Sequence, residues 1–332
     1  MPIIEPAEQI GTITLEDGRT IPRYKVKTET IKFFEESRFN KKKFWGPSAN
    51  DFDYLSLKHV KNFDDTFVFA CCGRLEDDHE KVIENICKKY KIKNFVFNEY
   101  MHHIYHACAA FHVSSFNEAM AVVIDGGGAI LRQLEKSFRE SDSIYYINNM
   151  QVKAKYKSYN NSRFSALYND FKNKNKLLKL IETCKNKNQI NNVLDYLYMQ
   201  NDCLYRMTNN YNPGDLFNHL CSTIGLVTLD ENEPGKAMGL SSYGNSHGKR
   251  DEDLAKQVQE VTEEYTINLI EKALTLGNTK NIILSGGYAL NCVNNYKYTQ
   301  YFKNVNFFID PCPHDGGTAL GAAVWYDYYH KK

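Results

Sequence analysis

His102 and His106 stand four residues apart in the Ala-rich segment Met101 to Phe111. On a helix that spacing puts both imidazoles on one face, about one turn apart, where they can share a transition-metal ion. His103 falls on another face. Core packing also satisfies such a pair, so the metal reading needs carboxylates to complete the shell. Two are suitably placed. Asp125 ends the apolar run AMAVVI and opens Gly126-Gly127-Gly128, and Asp315 follows the apolar stretch from Asn306, opens Gly316-Gly317 and precedes a helical pattern. Both lie at carboxyl ends of predicted strands, where α/β sheets bind ligands. Two imidazoles and two carboxylates suit iron or zinc better than calcium.

A third glycine turn, Ser285-Gly286-Gly287, also follows an apolar strand. Glycine lets backbone approach a phosphate closely, and a helix N-terminus offers free N–H groups to an anion. None of the three turns matches GxGxxG or GxxxxGK[ST], which excludes a dinucleotide fingerprint and a Walker A loop. Three such turns after buried strands point to a nucleotide in a cleft between two lobes.

The elements that must carry these residues follow from hydrophobic periodicity. Gly11-Thr-Ile-Thr-Leu and Asp17-Gly18 read as a strand and a tight turn. Helices are expected over 77–90, 101–111, 215–226, 251–275 and 318–329, and strands over 94–97, 281–285 and 306–310. The run 119–124, the glycines after it and Ala129 to Leu134 read as a hairpin whose turn needs positive φ. Strands alternating with helices argue an α/β fold.

The length of 332 residues allows two domains or one large two-lobed one. Lys plus Arg is 41 against 40 Asp plus Glu, which excludes a globally basic protein that holds nucleic acid by bulk charge. The charge is local instead. Residues 151–190 hold ten Lys and Arg against two Asp and Glu, a local +8, and read as a solvated, partly helical insertion or a surface for a polyanion. No apolar run approaches a membrane helix and the first nine residues do not read as a secretion signal, so a cytoplasmic protein is expected. Nine cysteines without a CxxC pair fit reduced thiols rather than disulfides or a structural zinc site.

Five ordered motifs resemble the nodulation and antibiotic O-carbamoyltransferases. They are Glu35-Glu36-Ser-Arg38-Phe39 with Lys41 to Lys43; His102-His103-x-x-His106-Ala-Cys-Ala-Ala-Phe followed by Asp125-Gly-Gly-Gly; Gly235-Lys236-x-Met238-Gly239-Leu240-x-x-Tyr243-Gly244; Ser285-Gly286-Gly287-x-Ala289-x-Asn291-Cys292; and Asp315-Gly316-Gly317-x-Ala-Leu-Gly321-Ala322-Ala323. The resemblance spans residues 35–325. It implies an actin-like, two-lobed fold of two RNase H-like α/β units, expected over 1–118 and 119–332, with a basic insertion at 151–210 and a last helix packing back towards the first lobe. It also implies transfer of a carbamoyl group from carbamoyl-adenylate, made from ATP and carbamoyl phosphate, to an alcohol. Iron or a similar divalent metal would be held by His102, His106, Asp125 and Asp315. Gly126, Gly127, Gly128, Gly286, Gly287, Asn291, Gly316 and Gly317 would hold the nucleotide.

Acyl transfer to an alcohol needs a base for the acceptor's proton. Asp215, after Asn212-Pro213-Gly214, is the candidate, with a helix N-cap as its alternative role. Lys236 is the candidate for contact with phosphate or the carbamoyl oxygen, with a solvated loop lysine as the alternative.

Two features depart from the family pattern. Gly11-Thr-Ile-Thr-Leu lacks the His and Asp of the family's first-strand segment. Full-length members also continue into a YrdC-like domain that makes carbamoyl-adenylate, whereas this chain stops at Lys332, so a separate YrdC-like partner or a degenerate relative is expected. Abundant Lys, Asn, Tyr and Ile suggest an A/T-rich genome such as a phage's. That makes a 5-hydroxymethylpyrimidine in DNA the expected acceptor, with a sugar or secondary metabolite as the rival. A nucleotide-binding regulatory subunit without catalysis is the alternative from another class.

Overall fold

The computed structural model describes residues 8–14, 20–25, 67–70, 79–133, 136–149, 151–161, 173–185, 196–208, 211–228 and 231–330. The chain divides into two compact units, Met1–Phe97 and Asn98–Lys332. This division falls before the boundary at 118 expected from sequence.

In the first unit, β1 (Glu8–Thr14) pairs antiparallel with β2 (Thr20–Lys25), and β3 (Phe67–Phe69) pairs parallel with β4 (Phe95–Phe97). Helix α1 (His79–Tyr90) lies between β3 and β4 in the chain and buries Val82, Ile83, Ile86 and Cys87, a 3–4 spacing that faces Phe67, Phe69 and Phe97. The segment Glu35 to Lys43 lies outside the described residues.

The second unit opens with α2 (His102–Val113) and β5 (Glu118–Ile124), β6 (Ile130–Gln133), β7 (Lys136–Asn148) and β8 (Gln151–Asn161). Helix α3 (Lys174–Lys185), strands β9 (Tyr196–Gln200) and β10 (Cys203–Thr208), and helix α4 (Pro213–Ile224) follow. A short ribbon of β11 (Val227–Thr228) and β12 (Glu231–Asn232) leads to α5 (Pro234–Leu240) and α6 (Asp251–Leu276). Strand β13 (Asn281–Ser285), helix α7 (Cys292–Tyr301), strand β14 (Asn306–Ile309) and helix α8 (Asp315–His330) complete the order. One mixed eight-stranded sheet runs β14-β13-β5-β7-β8-β10-β9, with β6 also on β7. Strands β14, β13 and β5 are mutually parallel, so their carboxyl ends share one edge.

The sheet is covered on both faces, as its apolar strands require. Met120, Val122, Ile124, Ile144, Tyr156, Ile282 and Leu284 join one core with Leu216 and Leu220 of α4 and Leu254, Val258 and Ile270 of α6. Helix α2 packs against β5, β7, β13 and α8. Its Ala107, Ala109 and Ala110 are buried, and a Cβ at Gly321 of α8 would collide with the Tyr105 carbonyl. Small residues on both helices therefore set their close approach. Among the described residues no helix is long and apolar enough to cross a membrane.

Two sequence expectations are corrected. The glycines after Asp125 do not turn a hairpin. Strands β5 and β6 run along the same edge of β7, paired from Glu118↔Asn148 through Ile124↔Asp142 to Ile130↔Arg139 and Gln133↔Lys136. Asp125 to Gly128 interrupt one strand like a bulge, with Gly128 N–H donating to Glu140 O at 2.7 Å and Glu140 N–H to Ala129 O at 2.8 Å. Positive φ is absent there; among the described glycines only Gly225 and Gly286 adopt it. Residues 151–161 are likewise not a solvated insertion but an inner strand, β8, whose Tyr156 and Tyr159 are buried.

Candidate metal and transfer site

The histidine helix is entered through a 3-10 turn, Glu99–Met101, where the Asn98 side chain accepts the Tyr100 N–H at 3.0 Å. This fixes the first turn of α2 over the carboxyl ends of β5 and β13. His102, His103 and His106 are all buried. His102 Nε2 lies 3.3 Å from His106 Nε2 and 3.2 Å from Asp125 Oδ2. Asp315 Oδ1, from the first residue of α8, lies 3.6 Å from His102 Nε2 and 3.7 Å from His106 Nε2. One ligand atom from each of the four residues falls within 4.8 Å of all the others.

This arrangement fits a divalent metal. Nitrogen and oxygen ligands about 2.1 Å from a common tetrahedral ion stand roughly 3.4 Å apart, close to the separations of 3.2, 3.3, 3.6 and 3.7 Å in which His102 and His106 take part. Two neutral imidazoles that aim the same nitrogen at each other form at most one hydrogen bond, whereas two lone pairs suit one cation. The electrostatics agree. Burial alone lowers the His102 pKa, but the hydrogen bond to Asp125 and the charges of Asp315 and Glu140 lift it to about 9. Burial would raise the Asp125 pKa, yet His102 and His106 hold it well below the ordinary carboxylate range. The pocket favours added positive charge. His102, His106, Asp125 and Asp315 would hold the ion, and Asp315, with its side chain 64% exposed, is its open side.

Backbone amides from two glycine segments orient Asp125. Gly287 N–H donates to Oδ1 at 3.0 Å and Gly127 N–H to Oδ2 at 3.4 Å. Gly286 has φ +86° and a Cβ there would strike the Ile124 carbonyl, so this position requires glycine on both counts. Gly127 and Gly128 leave room for neighbouring side chains instead. A Cβ on Gly127 would enter the Arg139 guanidinium, and one on Gly128 would come within 2.7 Å of the His103 ring.

His103 belongs to a second buried cluster. Its Nδ1 is 3.0 Å from Ser143 Oγ, which donates to Glu140 Oε1 at 2.6 Å; Lys157 Nζ reaches the same oxygen at 3.0 Å. Burial pushes His103 down to about 4, which leaves it neutral at pH 7. Burial raises Glu140, but His103 and Lys157 bring it down to about 2. Sequence reading missed Glu140 and Lys157. They sit on neighbouring strands that only the β7–β8 register, Glu140↔Tyr159 and Ser143↔Lys157, brings together.

The remaining candidates divide. Asp215 is buried at the third position of α4, but the N-cap is Asn212, whose Oδ1 accepts the Asp215 N–H at 2.8 Å. Asn212 Nδ2 also donates to Asp125 O at 2.6 Å and Ser141 O at 2.9 Å, which ties the start of α4 to the glycine segment. Burial pushes Asp215 up to about 6, against the opposing effects of Arg139 and the Asn160 hydrogen bond. A carboxyl with such a pKa can exchange a proton near neutral pH. Lys236 Nζ lies 3.4 Å from Thr228 Oγ1 and 3.6 Å from Glu233 Oε1, on a largely exposed side chain. The Asn291 side chain forms a reciprocal amide pair with Gln259, at 2.9 and 3.2 Å, and accepts the Asn294 N–H at the start of α7. Gly316 N–H donates to His314 Nδ1, and a Cβ on Gly317 would collide with Cys312 O, so both close the turn that presents Asp315.

The four residues gather beside the carboxyl ends of the parallel strands β5, β13 and β14, in a mixed α/β fold of actin-like type. This fold is similar to that of HypF from T. kodakarensis, with TM-score 0.51 and 14% identity over all of this chain and 49% of that one. The chain belongs to the family described as Carbamoyltransferase N-terminus, which matches residues 48–324. It is 27% identical over 256 residues to the uncharacterized protein sll1178 of Synechocystis sp., covering 73% of this chain and 38% of that protein. It is 24% identical over 240 residues to the nodulation protein NolNO of Sinorhizobium fredii, covering 67% and 30%. The chain therefore spans well under half the length of these curated relatives.

Proposed function

We propose that the chain is the transfer module of an O-carbamoyltransferase that moves a carbamoyl group from carbamoyl-adenylate to an acceptor alcohol. The assembly of His102, His106, Asp125 and Asp315 around one point, within a carbamoyltransferase N-terminal domain, carries this reading. It also weighs against a regulatory subunit without catalysis, which has no need of a complete ligand set. A YrdC-like partner or domain supplies carbamoyl-adenylate from ATP and carbamoyl phosphate.

In transfer, the acceptor oxygen bonds to the carbamoyl carbon, the bond from that carbon to the adenylate oxygen breaks, and AMP leaves. Asp215 takes the hydroxyl proton, since its carboxyl is buried and tuned to about 6. The glycine segments 126–128, 286–287 and 316–317 bring backbone close to the adenylate. Lys236 is a candidate for the phosphate or carbamoyl oxygen. A divalent iron or zinc held by His102, His106, Asp125 and Asp315 would supply charge stabilisation for the leaving phosphate.

The proposed acceptor is a 5-hydroxymethylpyrimidine in phage DNA. Lys174, Lys176 and Lys179 lie within the basic stretch 151–190 and are exposed on α3, where Lys174 also pairs with Asp251. Mass spectrometry of hydroxymethylated duplex, free nucleoside and sugars, each incubated with the chain and carbamoyl-adenylate, tests the reading. A gain of one carbamoyl group on the duplex is expected. Transfer to sugar alone overturns the DNA acceptor, and no transfer to any alcohol overturns the reaction. Duplex binding should weaken with salt by a log–log slope of about −0.9 per phosphate contact, and replacing the three lysines with Gln should flatten that slope.

A further inference from the structure

Arg139 and Asn160 are directly opposed on β7 and β8, so their side chains share a face of the sheet. Asn160 Nδ2 donates to Asp215 Oδ2 at 2.9 Å. Arg139 Nη2 donates to Gly127 O at 3.3 Å, and its guanidinium fills the space a Gly127 side chain would need. On the other side of the same segment, a Cβ at Gly214 would come within 3.1 Å of Gly126 N, so the start of α4 rests on it directly. The interrupted strand 125–128 is thus held between Arg139 and the turn of helix that carries Asp215.

Both charged groups are under-used. Among the described residues Arg139 makes that single hydrogen bond and no ion pair, and its buried Nε has no partner. Among the described residues the Asp215 carboxyl likewise has one side-chain donor, Asn160, and no ion pair. A buried carboxylate with so few donors needs a nearby cation to stay ionised.

We propose that Arg139 is a positioning residue for Asp215: across Asn160 it supplies the cation that holds the carboxylate ionised beside the glycine segment. This rests on the reading of Asp215 as the base. Among the described residues the charges weighing most on Asp215 are Arg139 and Asp142 of β7 and Asp125 after β5; the two aspartates push it towards its protonated form and Arg139 opposes them. The sign of the consequence follows. Asp215 titrates near 3.8 in the unfolded chain and near 6 in the folded one, so its contribution to stability is fully present below pH 3.8 and is lost as pH rises through 6. Removing Arg139 raises the folded value further and extends that loss to higher pH.

The test is a double-mutant cycle read as urea midpoint against pH from 4 to 8, on the full chain, with Arg139→Gln, Asp215→Asn and both. Arg139→Gln should move the midpoint of the pH-dependent loss upward by about one unit. In the Asp215→Asn background the same change should leave the pH profile unshifted across that window. Arg139→Lys, which keeps the charge, should restore the wild-type midpoint. An identical pH effect of Arg139→Gln with and without Asp215 overturns the proposal, as does an unmoved midpoint. Carbamoyl transfer by Asp215→Asn at the wild-type rate instead overturns Asp215 as the base and leaves the result of the cycle standing.

Discussion

The backbone N–H of Gly287 reaches Oδ1 of Asp125 at 3.0 Å, across 162 residues of chain. The glycine turn after β13 thus acts on the candidate metal site through the side chain that follows β5. Adjacent parallel strands make this possible, because the Ser285↔Val123 pairing ends both strands at one level. The carboxylate is held from the protein side and turns its other oxygen to His102.

Gly286→Ala tests that link. The substituted residue would have to hold φ +86° and meet the Ile124 carbonyl, so the turn must shift and take Gly287 N–H with it. A loss of about 2 kcal/mol or more is expected in urea unfolding, together with weaker metal retention on dialysis. Gly235→Ala, where a Cβ meets nothing within 4 Å, should change neither measurement.

The Lys157–Glu140 pair predicts an asymmetry. Both side chains are largely removed from water, with exposures of 13% and 0%. Lys157→Met leaves a buried carboxylate with one strong donor fewer and should cost about 3–5 kcal/mol in chemical denaturation. Lys157→Met with Glu140→Gln should recover a large part of that cost. Glu140 is held near 2 against an ordinary 4.5, so the stability it contributes is present above pH 4.5 and is lost as pH falls towards 2. Glu140→Gln should flatten that acid limb.

Which parts of this site were legible depended on the range of the signal. The i, i+4 histidines and the carboxylates at strand ends are local patterns, and the fold brings all four together. Strands 281–285 and 306–310 and the helix from 251 read directly from runs and periodicity, the second strand ending one residue earlier in the structure. The glycine segment 126–128 was misread because one sequence cannot distinguish a bulge from a hairpin turn; both put glycines after an apolar run, and the difference lies in pairing with β7. Glu140 and Lys157 were invisible for the same reason. A charged residue within a strand reads as solvent-facing until its cross-strand partner is known.

Asn291 also has a structural role that its motif does not announce: its side chain pairs with Gln259 and caps α7. Asn291→Ala and Gln259→Ala should therefore each destabilise the protein. Their double mutant should cost less than the sum by about 1 kcal/mol, as residues in one hydrogen-bond network do. Additive losses would show that the amide pair is not a unit.

The central claim is that His102, His106, Asp125 and Asp315 form one metal centre. Elemental analysis by mass spectrometry of the purified full chain, after exposure to Fe2+ or Zn2+ and desalting, tests it most directly. One equivalent of metal per chain is expected for the wild type. His106→Ala and Asp125→Ala should each lose nearly all of it, while His103→Gln, off the ligand face, retains it. Full metal content in a His102→Ala/His106→Ala double variant would contradict the account.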